Sequence, residues 1–218
     1  MISINELEKK CSQFLEELRI ADSAHDLAHT VRVVASAKQI IETERADAEI
    51  VISAAWLHDC VVLPKNHPER DKASVLAADK AVEFLHSVNF SADKLNAIHH
   101  AVAAHSFSAG IKPETLEAKI VQDADRLDAL GAIGIARCLL TGGDLQRPLY
   151  DAIDPFCENR EPDDSVWTID HFYSKLFKLP ELMNTETAKE EAYKRVRYME
   201  GFLRKLKEEI SMQIGDKY

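Results

Sequence analysis

Apolar residues return every three or four positions through most of this chain, and the gaps between such stretches are short, which predicts a succession of amphipathic helices. Ser3-x-x-Glu6 reads as a capping box that opens a first helix, with Leu7, Phe14 and Leu18 on one face, and Asp22 and Ser23 break it. A second starts near Asp26 and carries the stripe Leu27, Val31, Val34 and Ile41, and a third runs from Asp47 to Asp59. Two prolines, Pro64 and Pro68, forbid a regular helix in the next segment. A fourth begins near Arg70 and passes through Val75, Ala78, Val82 and Leu85. Ser91 is the expected cap of a fifth with Leu95, Ile98 and Val102 inward, and Pro113-Glu114 the start of a sixth with Leu116, Ile120, Leu127 and Leu130. After Thr141-Gly142-Gly143 the pattern dissolves for about two dozen residues, a length that often marks a functional loop. It returns at Ile169 to Leu179 and in a long final helix striped by Ala188, Ala192, Val196, Met199, Leu203 and Leu206. No stretch alternates as a strand does. The reading is all-α.

Composition narrows the class. The 218 residues suit one domain with a full core, and 46% hydrophobic with 29% charged residues is globular. A formal charge of −10 without any Lys/Arg run argues against a nucleic-acid polymer as partner, although a small phosphorylated substrate meets only a local field. The four cysteines (Cys11, Cys60, Cys138, Cys157) form no C-x-x-C pair, as expected of reduced thiols. Met1 to Lys10 holds no apolar signal core and no apolar run is long enough to span a bilayer, so a soluble, cytoplasmic protein without a membrane partner is expected. The final helix, with its single stripe, suits either a monomer or a homodimer.

The candidate chemistry begins at Trp56-Leu57-His58-Asp59-Cys60. Ala48, Val51, Ala55 and His58 fall at i, i+3, i+7 and i+10, so the imidazole continues a buried stripe and a carboxylate follows at once. A core histidine bonded to a nearby carbonyl would account for that pair alone. Two further motifs add to it. Ser23-Ala24-His25-Asp26-Leu27-Ala28-His29-Thr30-Val31-Arg32-Val33 puts two histidines four apart, on one helical face if the helix begins early enough. Val121-Gln122-Asp123-Ala124-Asp125-Arg126-Leu127-Asp128-Ala129-Leu130-Gly131 crowds three carboxylates into six residues of an apolar helix, which a cation or Arg126 would relieve.

The order His, then His-Asp, then Asp resembles the HD-domain superfamily of metal-dependent phosphohydrolases, closely from Ser23 to Arg137. The first motif, the Leu63-Pro64-Lys65-Asn66 loop, and Asp123-Ala-Asp-Arg-Leu-Asp followed by Gly131-x-x-Gly134 are similar to a small stand-alone bacterial branch associated with nucleotide hydrolysis. Ala24, between the serine and His25, is a slight departure. The resemblance implies a single compact helical bundle over residues 1–218, with core motifs in 23–137, an irregular possible lid in 142–166 and C-terminal helices in 167–212. It implies metal ligands His29, His58, Asp59 and Asp125, the last by the Ala-Asp-Arg-Leu form, with Asp123 behind it. Asp59 would also act in catalysis, and His25 with Asp26 would orient ligands or touch substrate.

Two neutral imidazoles and two carboxylates leave a six-coordinate ion two open positions and a charge near zero, so that its water is still acidified. The set suits one Mn²⁺ or Mg²⁺ ion, with Fe²⁺, Co²⁺ and Ni²⁺ also compatible. Phosphate needs cations: Lys65 and Arg70, whose loop starts at the metal, then Arg126, Arg137 and Lys175. Arg137 lies within a helix and would need an anionic partner. Of His99, His100 and His105, His100 is read as lining the pocket, and a second metal as a lesser reading. The expected function is hydrolysis of a small nucleotide, with pyrophosphate released from (deoxy)nucleoside triphosphates by attack of water activated on the ion. A phosphomonoesterase or phosphodiesterase on the same metal is the alternative, and a non-catalytic metal- or nucleotide-binding regulator the reading from another class.

Overall fold

The computed structural model describes residues 3–18, 27–63, 67–106 and 109–214. Among them stand nine α-helices and no strand, as the spacing of apolar residues predicts. The chain divides into two compact units, Met1–Leu127 and Asp128–Tyr218.

The first unit holds α1 (Ile4–Leu18), α2 (Leu27–Glu44), α3 (Ala48–Leu57), α4 (Ala73–Ser87), α5 (Leu95–Ala103) and α6 (Leu116–Leu127). Helix α3 organises it. The Asp47 carboxylate caps it, accepting the Glu49 and Ile50 N–H groups at 3.0 and 3.4 Å, and Glu49 suits the positive end of the helix dipole. Every residue from Val51 to Leu57 is buried, because α1, α2, α4, α5 and α6 all pack on it. Each large apolar side chain so enclosed contributes about 1.5–3 kcal/mol over its exposed state. The helix runs out at His58, and the Cys60 thiol then donates to the Ala77 carbonyl of α4 at 3.3 Å, tying down the turn. Burial pushes that thiol up to about 12, so it packs as a small hydrophobe.

Several sequence expectations need correction here. The inner face of α2 is not Leu27 and Val31, which are 37% and 47% exposed, but His29, Thr30, Val33, Ala37 and Ile40. Three polar side chains (His29, Thr30, Ser36) are buried, so hydrophobicity alone selected a face rotated from the true one. In α1, Leu7 is joined by Cys11 and Leu15, while Phe14 is half-buried and stacks on Phe84 at 4.1 Å between centroids. Ser91 makes no side-chain cap, its hydroxyl bonding Asp93 instead. Helix α6 starts at Leu116, after Thr115, whose hydroxyl accepts the Ala118 N–H at 3.2 Å. It ends at Leu127 rather than continuing through Leu130.

The second unit holds α7 (Gly131–Asp144), α8 (Asp170–Ser174), a 3-10 run (Leu176–Leu182) and α9 (Glu186–Ile214). The break before α7 centres on Gly131, whose φ of +72° lies in the region that side chains avoid. Gly134 follows because a Cβ there would stand 2.2 Å from the Ala129 carbonyl oxygen. Helix α7 packs on α9, whose Ala188, Ala192, Val196, Met199 and Leu203 are buried as the stripe predicts. The irregular stretch begins after Asp144, since Thr141-Gly142-Gly143 is still helical. Between there and α8, carboxylates replace periodic hydrogen bonds. The Asp151 side chain accepts the N–H groups of Ile153 and Asp154, Asp154 accepts those of Glu158 and Asn159, and the fully buried Asp170 receives both ends of the Arg160 guanidinium at 2.5 and 2.8 Å.

Candidate metal centre

Five side chains of the first unit converge. His29 comes from the inner face of α2, His58 and Asp59 from the end of α3, His105 from just beyond α5, and Asp125 from α6. His58 Nε2 lies 3.3 Å from His29 Nε2, 3.3 Å from Asp59 Oδ2 and 4.0 Å from Asp125 Oδ1. His29 Nε2 lies 3.4 Å from Asp125 Oδ1 and 3.7 Å from Asp59 Oδ2. Donors bound to one ion at about 2.1 Å stand about 3.0–3.4 Å apart when adjacent and about 4.2 Å when opposite. The observed separations fall in that range. On the far oxygen of Asp59, His105 Nε2 stands at 3.4 Å.

The tautomers sharpen the point. His58 Nδ1 bonds the Ala55 carbonyl at 2.8 Å, and His105 Nδ1 bonds that of Val102 at 2.6 Å. A carbonyl can only accept, so both rings carry a proton on Nδ1 and, when neutral, present a lone pair at Nε2. These lone pairs face carboxylate oxygens, an arrangement that repels unless a cation stands among them. The donor set therefore fits a divalent ion, and a proton is its competitor. Burial opposes charge on His58, but the Asp59 carboxylate, its hydrogen bond and Asp125 outweigh it and raise the ring above its ordinary 6.5. Burial likewise opposes charge on Asp59 and Asp125, yet the facing imidazoles hold both below the usual carboxylate range.

The family model for the HD domain matches residues 26–130. The protein YpgQ of Bacillus subtilis (strain 168) is 35% identical over 192 residues, covering 86% of this chain and 85% of its own. The chain belongs to the HD-domain family. It is a metal-dependent phosphohydrolase of the HD type. A crystal structure of an HD-superfamily hydrolase from Bacillus thuringiensis superposes with a TM-score of 0.73 at 35% identity, over 95% of this chain and 98% of that one. The crystal structure of YpgQ in complex with ADP does so with a TM-score of 0.69 at 32% identity, over 93% and 96%.

Seen as an HD domain, the sequence-derived site residues fall into three groups. His29, His58, Asp59 and Asp125 lie together, whereas Asp123, fully buried on the same helix, is not among the converging donors. His25, Asp26 and Lys65 lie outside the described residues. The others stand apart or are engaged elsewhere. Arg70 opens a 3-10 turn and its side chain makes no hydrogen bond or ion pair among the described residues. His100 accepts the Glu114 N–H at 3.0 Å. Arg126 is half-buried beside Asp123 and Asp125; burial weakens its hold on the proton and the two carboxylates resist that. Arg137 and Lys175 belong to the second unit. There Arg137 finds the anionic partner its position requires, donating to the buried Asp128 at 2.6 Å, while Lys175 is exposed.

His105 is the group that sequence reasoning passed over. Ile98, Val102 and His105 fall at i, i+4 and i+7, so the stripe of α5 itself carries the ring inward, and its residue is 6% exposed. The backbone just before it is held by Gln122 of α6, whose Nε2 donates to the Ala104 carbonyl at 2.8 Å.

Proposed function

We propose that the chain hydrolyses small nucleotides, releasing pyrophosphate from nucleoside or deoxynucleoside triphosphates, with one Mn²⁺ or Mg²⁺ ion held by His29, His58, Asp59 and Asp125. The observation that carries this reading is the convergence of those four side chains, His29 and His58 each standing within 4.0 Å of both Asp59 and Asp125. The nucleotide is suggested by YpgQ, determined in complex with ADP. When bound, the ion supplies Lewis-acid polarisation of a phosphate oxygen and a lowered pKa for water.

The side chains do the rest. His58 and His29 offer neutral nitrogens, the first fixed in tautomer by Ala55. Asp59 faces His58 through one oxygen and His105 through the other, at 3.3 and 3.4 Å. In that position it orients the attacking water or takes up its proton. Lys65, Arg70 and Arg126 are assigned to the phosphates, whose charge grows on the leaving oxygen as the P–O bond breaks. Arg137 and Lys175 are the further candidate cations for phosphate, and His25 and His100 are assigned to the remainder of the nucleotide.

The test is product analysis after metal-free protein is mixed with Mn²⁺ and a panel of nucleoside mono- and triphosphates. Pyrophosphate and monophosphate from triphosphates, abolished by Asp59→Ala, are the expected products. Turnover confined to monophosphates would replace this reading with a phosphomonoesterase. No turnover by metal-loaded protein would leave a binding protein.

A further inference from the structure

The second unit carries a cavity of about 160 Å³ that no residue of the metal cluster lines. Its size is below the about 300–1,000 Å³ of sites that take drug-sized ligands, so its occupant is small. Its polar wall is made by Arg137, Arg147, Thr141, Thr168 and His171.

Two of these groups are fixed in place by other carboxylates. Asp128, itself 3% exposed, anchors one end of the Arg137 guanidinium, and Asp164 receives His171 Nδ1 at 2.6 Å. Arg147 differs. Its main chain is pinned, N–H to the Gly142 carbonyl at 2.9 Å and carbonyl to the Thr168 hydroxyl at 3.4 Å. Its guanidinium makes no hydrogen bond or ion pair among the described residues. Gly142 lets the wall close, since a Cβ there would stand 2.3 Å from Thr168 Oγ1. The result is a small recess walled by the Arg147 guanidinium, which makes no hydrogen bond among the described residues although the Asp164 carboxylate lies within its electrostatic reach, by the Arg137 guanidinium held rigid, and by the Thr141 hydroxyl. Such a set recognises a compact polyvalent oxyanion.

We propose that this cavity binds pyrophosphate or a pyrophosphoryl-class oxyanion, with Arg147 its principal contact. The choice of pyrophosphate rests on the reading of the reaction given above. The site itself does not. It gives the hydrolase a place for its own product.

The experiment is calorimetric titration of sodium pyrophosphate into metal-free, full-length protein, with orthophosphate and sulfate in parallel. One-site binding is expected, weakening as salt rises, at least tenfold weaker in Arg147→Ala, and unchanged in His58→Ala, which removes a metal ligand but no cavity wall. Arg147→Lys keeps the charge and stem but not the planar fork, and is expected to fall between wild type and Arg147→Ala, which guards against a folding defect. Orthophosphate or sulfate binding more tightly than pyrophosphate would overturn the ligand assignment. No binding at millimolar pyrophosphate, equal affinity in both Arg147 variants, or loss in His58→Ala would overturn the site. Turnover of triphosphates is scored separately, so either result stands without the other.

Discussion

Proton and metal compete for the space between His29, His58 and the two carboxylates, and the competition has a calculable size. In metal-free protein the His58 ring holds its proton above the ordinary 6.5 because Asp59 and Asp125 face it. An ion that takes Nε2 must displace that proton, so below the raised value affinity falls about tenfold per pH unit. Between pH 7.5 and 5.5 the loss from this ring is at least about tenfold, or about 1.4 kcal/mol. Asp59 and Asp125 add nothing over that interval, since both lie below the usual carboxylate range and stay charged. Titration calorimetry of Mn²⁺ at the two pH values measures the affinity, and repeating it in buffers of different ionisation enthalpy counts the released proton. A thermal scan gives an independent check. At a hundred times Kd the ion stabilises by about 2.7 kcal/mol, a rise in Tm of about 5–11 °C for a chain of this size. Equal affinity at both pH values with no proton released would refute the competition. No thermal shift with millimolar Mn²⁺ would reduce the cluster to an ion-pair network.

Two further outcomes follow from the same structure. In metal-free protein the His58 contribution is fully present below its unfolded value and is lost as pH rises through the raised folded value. The Asp59 and Asp125 contributions are present above about 3.8 and lost as pH falls through their depressed folded values, so thermal stability should peak between about pH 4 and 6.5 and the alkaline decline should vanish with Mn²⁺ bound. Arg160→Ala strands the buried Asp170 carboxylate and should cost about 3 kcal/mol, read as a lower urea midpoint at unchanged slope, whereas Arg160→Ala with Asp170→Asn should recover part of it.

The helical character of the chain was legible because amphipathic spacing is a strong signal, and α3 and α9 fall where their stripes put them. Periodicity misleads where function has displaced it. In α2 the buried face carries a histidine, a threonine and a serine, so the apolar residues at Leu27 and Val31 pointed to the wrong side. The stretch between Asp144 and Asp170 carried no periodic signal because several of its backbone N–H groups are satisfied by aspartate side chains. Such ordering depends on which carboxylate reaches which amide, and hydropathy does not record it.

The cluster shows the same limit more finely. Asp123 and Asp125 are two apart on one helix and so point in nearly opposite directions; the former shares the stripe of Ile120 and Leu127 and is fully buried, the latter lies off that stripe. A donor that must meet both an ion and an incoming phosphate belongs at the margin of the core, not on its stripe. The exposures follow that logic: the His29 and His58 side chains are 1% and 0% exposed, those of Asp59 and Asp125 17% and 29%. The imidazoles form the buried side of the cluster and the carboxylates its more exposed side. His105 fits the inner side by the same rule, continuing the stripe of Ile98 and Val102 as His58 continues that of Val51 and Ala55. A histidine five residues from another shares no face with it, but a histidine on its own helix's apolar stripe enters the core whatever its neighbours are.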